Sequence, residues 1–143
     1  MGQLFKHGSY CGFLALTLLG LFVIPAQARS FPEAEREYNR LRPIFHRLEH
    51  AAKAPQRDQW ERTIRGFEVL AKKFPTSSQA PKALFSAARL WRSLNAWSGA
   101  SRDLDYSLAA YDRLVGRYPS SSLADDSLIA QAEILQTKRA EYT

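Results

Sequence analysis

From Ser30 onward the apolar residues recur at alternating steps of three and four, the signature of helices that each bury one face. In the first such stretch the seam is Tyr38, Leu41, Phe45, Leu48 and Ala52. It opens on Ser30 and Glu33, a capping-box pair, with Pro32 suited to the first turn, and closes at Ala54-Pro55. Pro43 falls opposite the seam and is expected to kink this helix or split it near Leu41. A second helix is expected from Asp58, as N-cap, to Phe74, with Trp60, Ile64, Phe67, Ala71 and Phe74 inward and Pro75 as terminator. A third follows Ser77 and turns Ala80, Leu84, Ala87, Ala88, Trp91 and Leu94 inward. Asn95 to Ser101 reads as a loop, with Gly99 as the breaker. A fourth runs from Arg102 to Tyr118 on Leu104, Leu108, Tyr111, Val115 and Tyr118, and Pro119 ends it. A fifth follows Ser121, with Ala124, Leu128, Ala132 and Leu135 inward and a polar tail from Lys138 expected to fray. No stretch sustains period-two alternation and no Asn-Gly or Asp-Gly hairpin turn occurs, so the pattern is that of an all-α fold of about five helices.

The second and third helices recur in the fourth and fifth at an offset of 44 residues. Trp60, Ile64, Phe67, Leu70, Ala71, Phe74 and Pro75 map onto Leu104, Leu108, Tyr111, Leu114, Val115, Tyr118 and Pro119. Ser77, Ser78, Ala80, Leu84 and Ala88 map onto Ser121, Ser122, Ala124, Leu128 and Ala132. Unrelated amphipathic helices share a period but not the same order of aromatic, proline, serine and small residues. Such units cannot bury their faces singly, and the expected arrangement is a right-handed solenoid of helical hairpins. A plain helical bundle is the alternative.

The segment before these helices has a different character. Lys6 precedes an apolar run from Phe13 to Ile24, Pro25 breaks it, and Ala26-Gln27-Ala28 supplies a small-x-small cleavage pattern. Residues 1–28 are therefore expected to be a secretory signal peptide, and 29–143 the helical-repeat domain. The run is shorter than the roughly 20 apolar residues of a retained anchor. Cleavage after Ala28 leaves 115 of the 143 residues, with 19 basic against 14 acidic side chains. The single cysteine, Cys11, leaves with the leader, so neither disulfides nor a cysteine zinc site holds the domain together. The location implied is the periplasm, where a nucleic-acid partner is disfavoured despite the positive charge.

Candidate chemistry is sparse. His46-Arg47-Leu48-Glu49-His50 matches the inverted zinc-peptidase pattern His-x-x-Glu-His. Both histidines lie more than about 100° from the seam of their helix, and no third ligand follows from the pattern. A solvated helix face is the preferred reading, and no metal or other cofactor is assigned. All histidines after Ala28 sit on that one helix, so no Ser-His-Asp group assembles and no catalytic residue is assigned. Trp91 belongs to a seam, whereas Trp97, in the expected loop, packs over the repeat edge or touches a ligand. At the offset of 44, Lys82 and Arg89 meet Asp126 and Glu133, opposite charges on helices expected to run side by side. They pair across the repeat boundary or form a mixed-charge binding face.

The strings Phe74-Pro75-x-Ser77-x-x-Ala80 and Tyr118-Pro119-x-Ser121-x-x-Ala124 resemble tetratricopeptide-like repeats, in the variety found in cell-envelope proteins. The offset of 44 exceeds the usual repeat of about 34, and the excess is expected at Asn95 to Ser101. Further strings resemble the N-terminal repeat region of exported bacterial N-acetylmuramoyl-L-alanine amidases over about residues 33 to 136. They are Arg57-Asp58-x-Trp60, Ile64-x-x-Phe67-Glu68, Asp103-Leu104-Asp105 and Tyr118-Pro119-x-Ser121-x-Leu123-Ala124-Asp125-Asp126. The resemblance implies an envelope location and a link to cell-wall processing. It does not carry over the amidase activity, which resides in a separate zinc-dependent domain. The expected function is non-enzymatic: a helical surface for an envelope protein, a peptide or a cell-wall partner such as an amidase or peptidoglycan. Lys82, Phe85, Arg89, Arg92, Asp126 and Glu133 are its candidate contacts. The alternative is the targeting part of such an amidase. Self-association through the open last repeat is a further expectation.

Overall fold

A computed structural model describes residues 31–51 and 55–140, with side chains described as far as Lys138. The leader expected at 1–28, the cap at Ser30 and the seam residue Ala52 lie outside these. Five α-helices follow in order and, among the described residues, no strand occurs: α1 (Pro32–Glu49), α2 (Arg57–Lys73), α3 (Gln79–Ser98), α4 (Ser101–Arg117) and α5 (Ser122–Ala140). No helix among these residues is long and apolar enough to cross a membrane.

Helix α1 runs unbroken through Pro43, so of the expected kink or split near Leu41 the split does not occur. Pro43 is exposed, so the carbonyl that the missing N–H would have met lies on the solvent side of the helix, where losing that hydrogen bond costs least. Leu41, Phe45 and Leu48 are buried as the seam requires, and the Phe45 ring meets Phe67 of α2 edge-on at 6.2 Å. Gly66 makes room for α1 to settle, since a Cβ there would stand 2.9 Å from Leu41 Cδ2. Helix α2 begins at Arg57, one residue before the expected cap, and Asp58 sits in its first turn, paired with Arg62.

The chain between α3 and α4 is shorter than expected. Asn95 to Ser98 extend α3, and only Gly99 and Ala100 connect the helices. Nothing in Asn95-Ala96-Trp97 forbids a helix. The break comes at Gly99, whose φ of 65° is a left-handed cap with its N–H on the Asn95 carbonyl at 2.8 Å. The residues expected as a loop therefore mostly belong to a longer α3.

The turns at Pro75 and Pro119 are near copies. Phe74 and Tyr118 cap their helices at φ/ψ of −125°/59° and −132°/54°. The N–H groups of Phe74, Ser77 and Ala80 donate to the carbonyls of Leu70, Phe74 and Ser77, and those of Tyr118, Ser121 and Ala124 donate to Leu114, Tyr118 and Ser121. The Tyr118 hydroxyl donates to the Pro75 carbonyl at 2.8 Å, tying one turn to the other.

At the opposite end, Asp103 in the first turn of α4 is fully buried. Arg57, at the start of α2, reaches it with two N–H groups at 2.6 and 3.1 Å, and the Ser98 hydroxyl donates at 2.7 Å. Glu61 takes a further N–H of Arg57 at 2.7 Å. Burial pushes the Asp103 carboxyl up, but the hydrogen bonds from Arg57 and Ser98, with the charges of Arg57 and Arg102, outweigh it and hold it below the ordinary carboxylate range. Its contribution to stability is thus present above the unfolded-state value, near 3.9, and is lost as the pH falls through the folded-state value.

Arg57→Ala strands a buried carboxylate and is expected to cost about 3 kcal/mol in urea unfolding at pH 7. The gap from the wild type is expected to narrow as the pH falls into and below the carboxylate range, because protonated Asp103 no longer needs the guanidinium.

Candidate functional site

One face of α3 and one face of α5 line a groove of about 460 Å³. On α3 the residues are Phe85, Arg89, Arg92, Ser93 and Ala96, successive turns of a single helical face. On α5 they are Asp126, Ile129, Ala130 and Glu133, at steps of three, one and three. Glu49, the last residue of α1, completes one wall, and Tyr111 of α4 reaches in from below. Tyr111 is buried and packs against Phe85 at 5.6 Å with the rings 67° apart. Burial pushes its hydroxyl up to about 12, against the lowering influence of Arg92 and Arg89, so it stays a neutral donor at physiological pH.

The charges on the groove are mostly paired. Arg89 binds Glu49 of α1 at 2.5 Å and lies over the Phe45 ring at 5.4 Å. Arg92 binds Glu133 of α5 at 2.8 Å. An ion pair between α3 and α5 therefore occurs, but in a different register from the one expected. Glu133 meets Arg92 rather than Arg89, and Arg89 reaches back to α1. The shift is three residues, about 4.5 Å along the helix, within the sweep of a guanidinium side chain. Lys82 is exposed, does not line the groove and is not ion-paired to Asp126. Five of the six expected contact residues, Phe85, Arg89, Arg92, Asp126 and Glu133, thus share one groove, and Lys82 stands apart from it.

Four lining residues that the sequence reading omitted were within its reach. Ser93 and Ala96 continue the helical series begun by Phe85 and Arg89, and Ile129 and Ala130 fill the series from Asp126 to Glu133. Glu49 carries no such signal, because α1 lies outside the repeat. Tyr111 was assigned to the interior, where it is; that it also floors the groove follows only from tertiary packing.

The His46, Glu49 and His50 donor atoms lie within 4.8 Å of one another at the end of α1. Donors around a zinc ion bonded at about 2.1 Å stand roughly 3.4 Å apart, so the three would have to close in. Glu49 would also have to give up Arg89. Trp97 ends in the last turn of α3, half-exposed, and Trp91 packs against Tyr106 at 4.8 Å.

No protein-family profile, curated protein or solved structure matches this chain.

The double substitution His46→Ala/His50→Ala is expected to leave the thermal midpoint within about 2 °C of the wild type, and the purified wild-type protein to carry no zinc by elemental analysis. Stoichiometric zinc that disappears with the substitution would contradict this.

Proposed function

We propose that this protein is a non-enzymatic helical-repeat module of the periplasm, stacked as a right-handed solenoid of tetratricopeptide-like hairpins. Its groove between α3 and α5 holds an extended segment of an envelope protein, a peptide or a cell-wall component. The observation that carries this reading is the groove itself. Its lining includes the apolar side chains of Phe85, Ala96, Ile129 and Ala130, and two arginine–glutamate pairs hold its walls at fixed separations. Apolar contact supplies the affinity, and polar groups already fixed by their partners set the orientation. Asp126 adds a carboxylate that is in no ion pair among the described residues, which suits an amide N–H or a cationic group of the ligand.

A second reading, the targeting part of a cell-wall amidase, is favoured by where the amidase-like strings lie. Arg57 belongs to one string and Asp103 to another, and the two form the buried ion pair. Tyr118 of a third string anchors the second turn to the first. The strings thus coincide with the contacts that join the two hairpins.

The test is photo-crosslinking in cells from a reactive amino acid placed at Phe85 or Ala96, with Val69 on an exposed face of α2 as control. Envelope proteins or peptidoglycan fragments, identified by mass spectrometry, are expected from the groove positions and not from the control. Recovery of an amidase would favour the second reading. Equal yields from groove and control, or cytosolic proteins alone, would overturn both.

A further inference from the structure

Helix α5 differs from its repeat equivalent, α3, in one respect. Both bury the same positions toward the preceding helix: Ala80, Ala83 and Leu90 in α3, and Ala124, Ser127 and Ile134 in α5. On the other side they diverge. Leu128, Ile129 and Leu135 are 51%, 59% and 56% exposed, and Ala132 between them is exposed too. Leu128, Ala132 and Leu135 were expected inward, and this corrects that expectation. Apolar residues occur nearly all round α5, and the face carrying small Ala124 and Ser127 is the one that fits closely on α4.

What covers the matching face of α3 is on view. Stepping back 44 residues, Ile129, Ala132 and Leu135 become Phe85, Ala88 and Trp91. Helix α4 lies on these: Tyr111 packs on Phe85, the Ser107 hydroxyl donates to the Ala88 carbonyl at 2.8 Å, and Tyr106 packs on Trp91. Leu84, the counterpart of Leu128, is buried in one cluster with Leu114 of α4. The face on α5 therefore has the shape that receives a helix of the α4 kind.

We infer that the Leu128–Ile129–Ala132–Leu135 face of α5 is a docking site for an amphipathic helix of a partner protein. That helix carries aromatic side chains one residue before and four residues after a small hydroxyl residue, as Tyr106 and Tyr111 flank Ser107 in α4, lies antiparallel to α5 and bears basic residues at its C-terminal end. The last feature follows from charge: Asp125 and Asp126 stand at the start of α5, in no ion pair among the described residues, where an antiparallel helix would end. A second copy of this chain does not offer such a helix from its repeats. The seams of α2 and α4 are already buried at Trp60, Phe67, Leu104 and Tyr111. The inference rests on the repeat equivalence in the proposed function but not on what the groove holds.

A fluorescent peptide with the sequence of residues 101–119, which has these features, serves as the probe. Anisotropy titration with the full chain is expected to show saturable binding, weakened at least about tenfold by Leu128→Glu/Leu135→Glu. Circular dichroism of that variant is expected to match the wild type, since both side chains are half-exposed. Arg92→Ala, a groove change, is expected to leave peptide binding intact, so failure of the groove reading and failure of this one are told apart. No binding to the wild type, or binding that the glutamates do not weaken, would overturn the inference. A wild-type dimer by light scattering that the glutamates dissolve would overturn it in favour of self-association.

Discussion

The arrangement depends on one buried carboxylate. Asp103 is removed from water, and an uncompensated charge there would cost more than most single contacts return. The compensation comes from two directions. Ser98 donates from the end of α3, and Arg57 donates twice from the start of α2, 46 residues back. Asp103 also sits in the first turn of α4, where unpaired amide N–H groups favour a negative charge. Arg57 is itself one-third exposed and shared with Glu61, so the pair is anchored from the surface rather than sealed inside. A hydrophobic pair of similar size could match its stability. What an ion pair adds is geometry, because a bidentate guanidinium accepts one orientation of the carboxylate.

That geometry propagates along the helices. The Arg57–Asp103 pair links the starts of α2 and α4 through their side chains, and the Tyr118–Pro75 hydrogen bond links their ends. Between these two ties, α3 packs against α1, α2, α4 and α5. Its groove face is then held by Glu49 on one flank and Glu133 on the other. The Arg92–Glu133 pair is exposed and worth at most about 1 kcal/mol, so its effect is to fix side-chain placement rather than to stabilise.

Helix count, most helix limits within a residue or two, and both proline turns were legible in the sequence, because they rest on local rules; α1, expected to run to Ala54, ends at Glu49, and α3, expected to end at Leu94, runs on to Ser98. Pro75 and Pro119, which can neither donate an N–H nor let the preceding residue stay helical, end α2 and α4, and the Ser77 and Ser121 turns follow. The misreadings share a cause. Asn95 to Ser98 read as loop on composition, but polar and aromatic residues continue a helix when the preceding turns are well packed. In α5, Leu128, Ala132 and Leu135 satisfied the helical period as well as the true inner face did, and only packing against α4 decides between them. Asp103 looked like an ordinary acidic residue at a helix start. Periodicity carries no information about a partner 46 residues away. The rim pairs failed in register for the same reason, since equivalence by offset names the facing helices but not the turn at which side chains meet.

The most direct test of the account is a double-mutant cycle on Arg57 and Asp103, using Arg57→Ala, Asp103→Ala and the combination, read by urea unfolding at pH 7. If this pair joins the hairpins, the double variant is expected to be more stable than the sum of the single losses implies, by about 2 kcal/mol. Losses that add within about 0.5 kcal/mol would mean the two side chains do not depend on each other, and the buried tie between α2 and α4 would have to be abandoned.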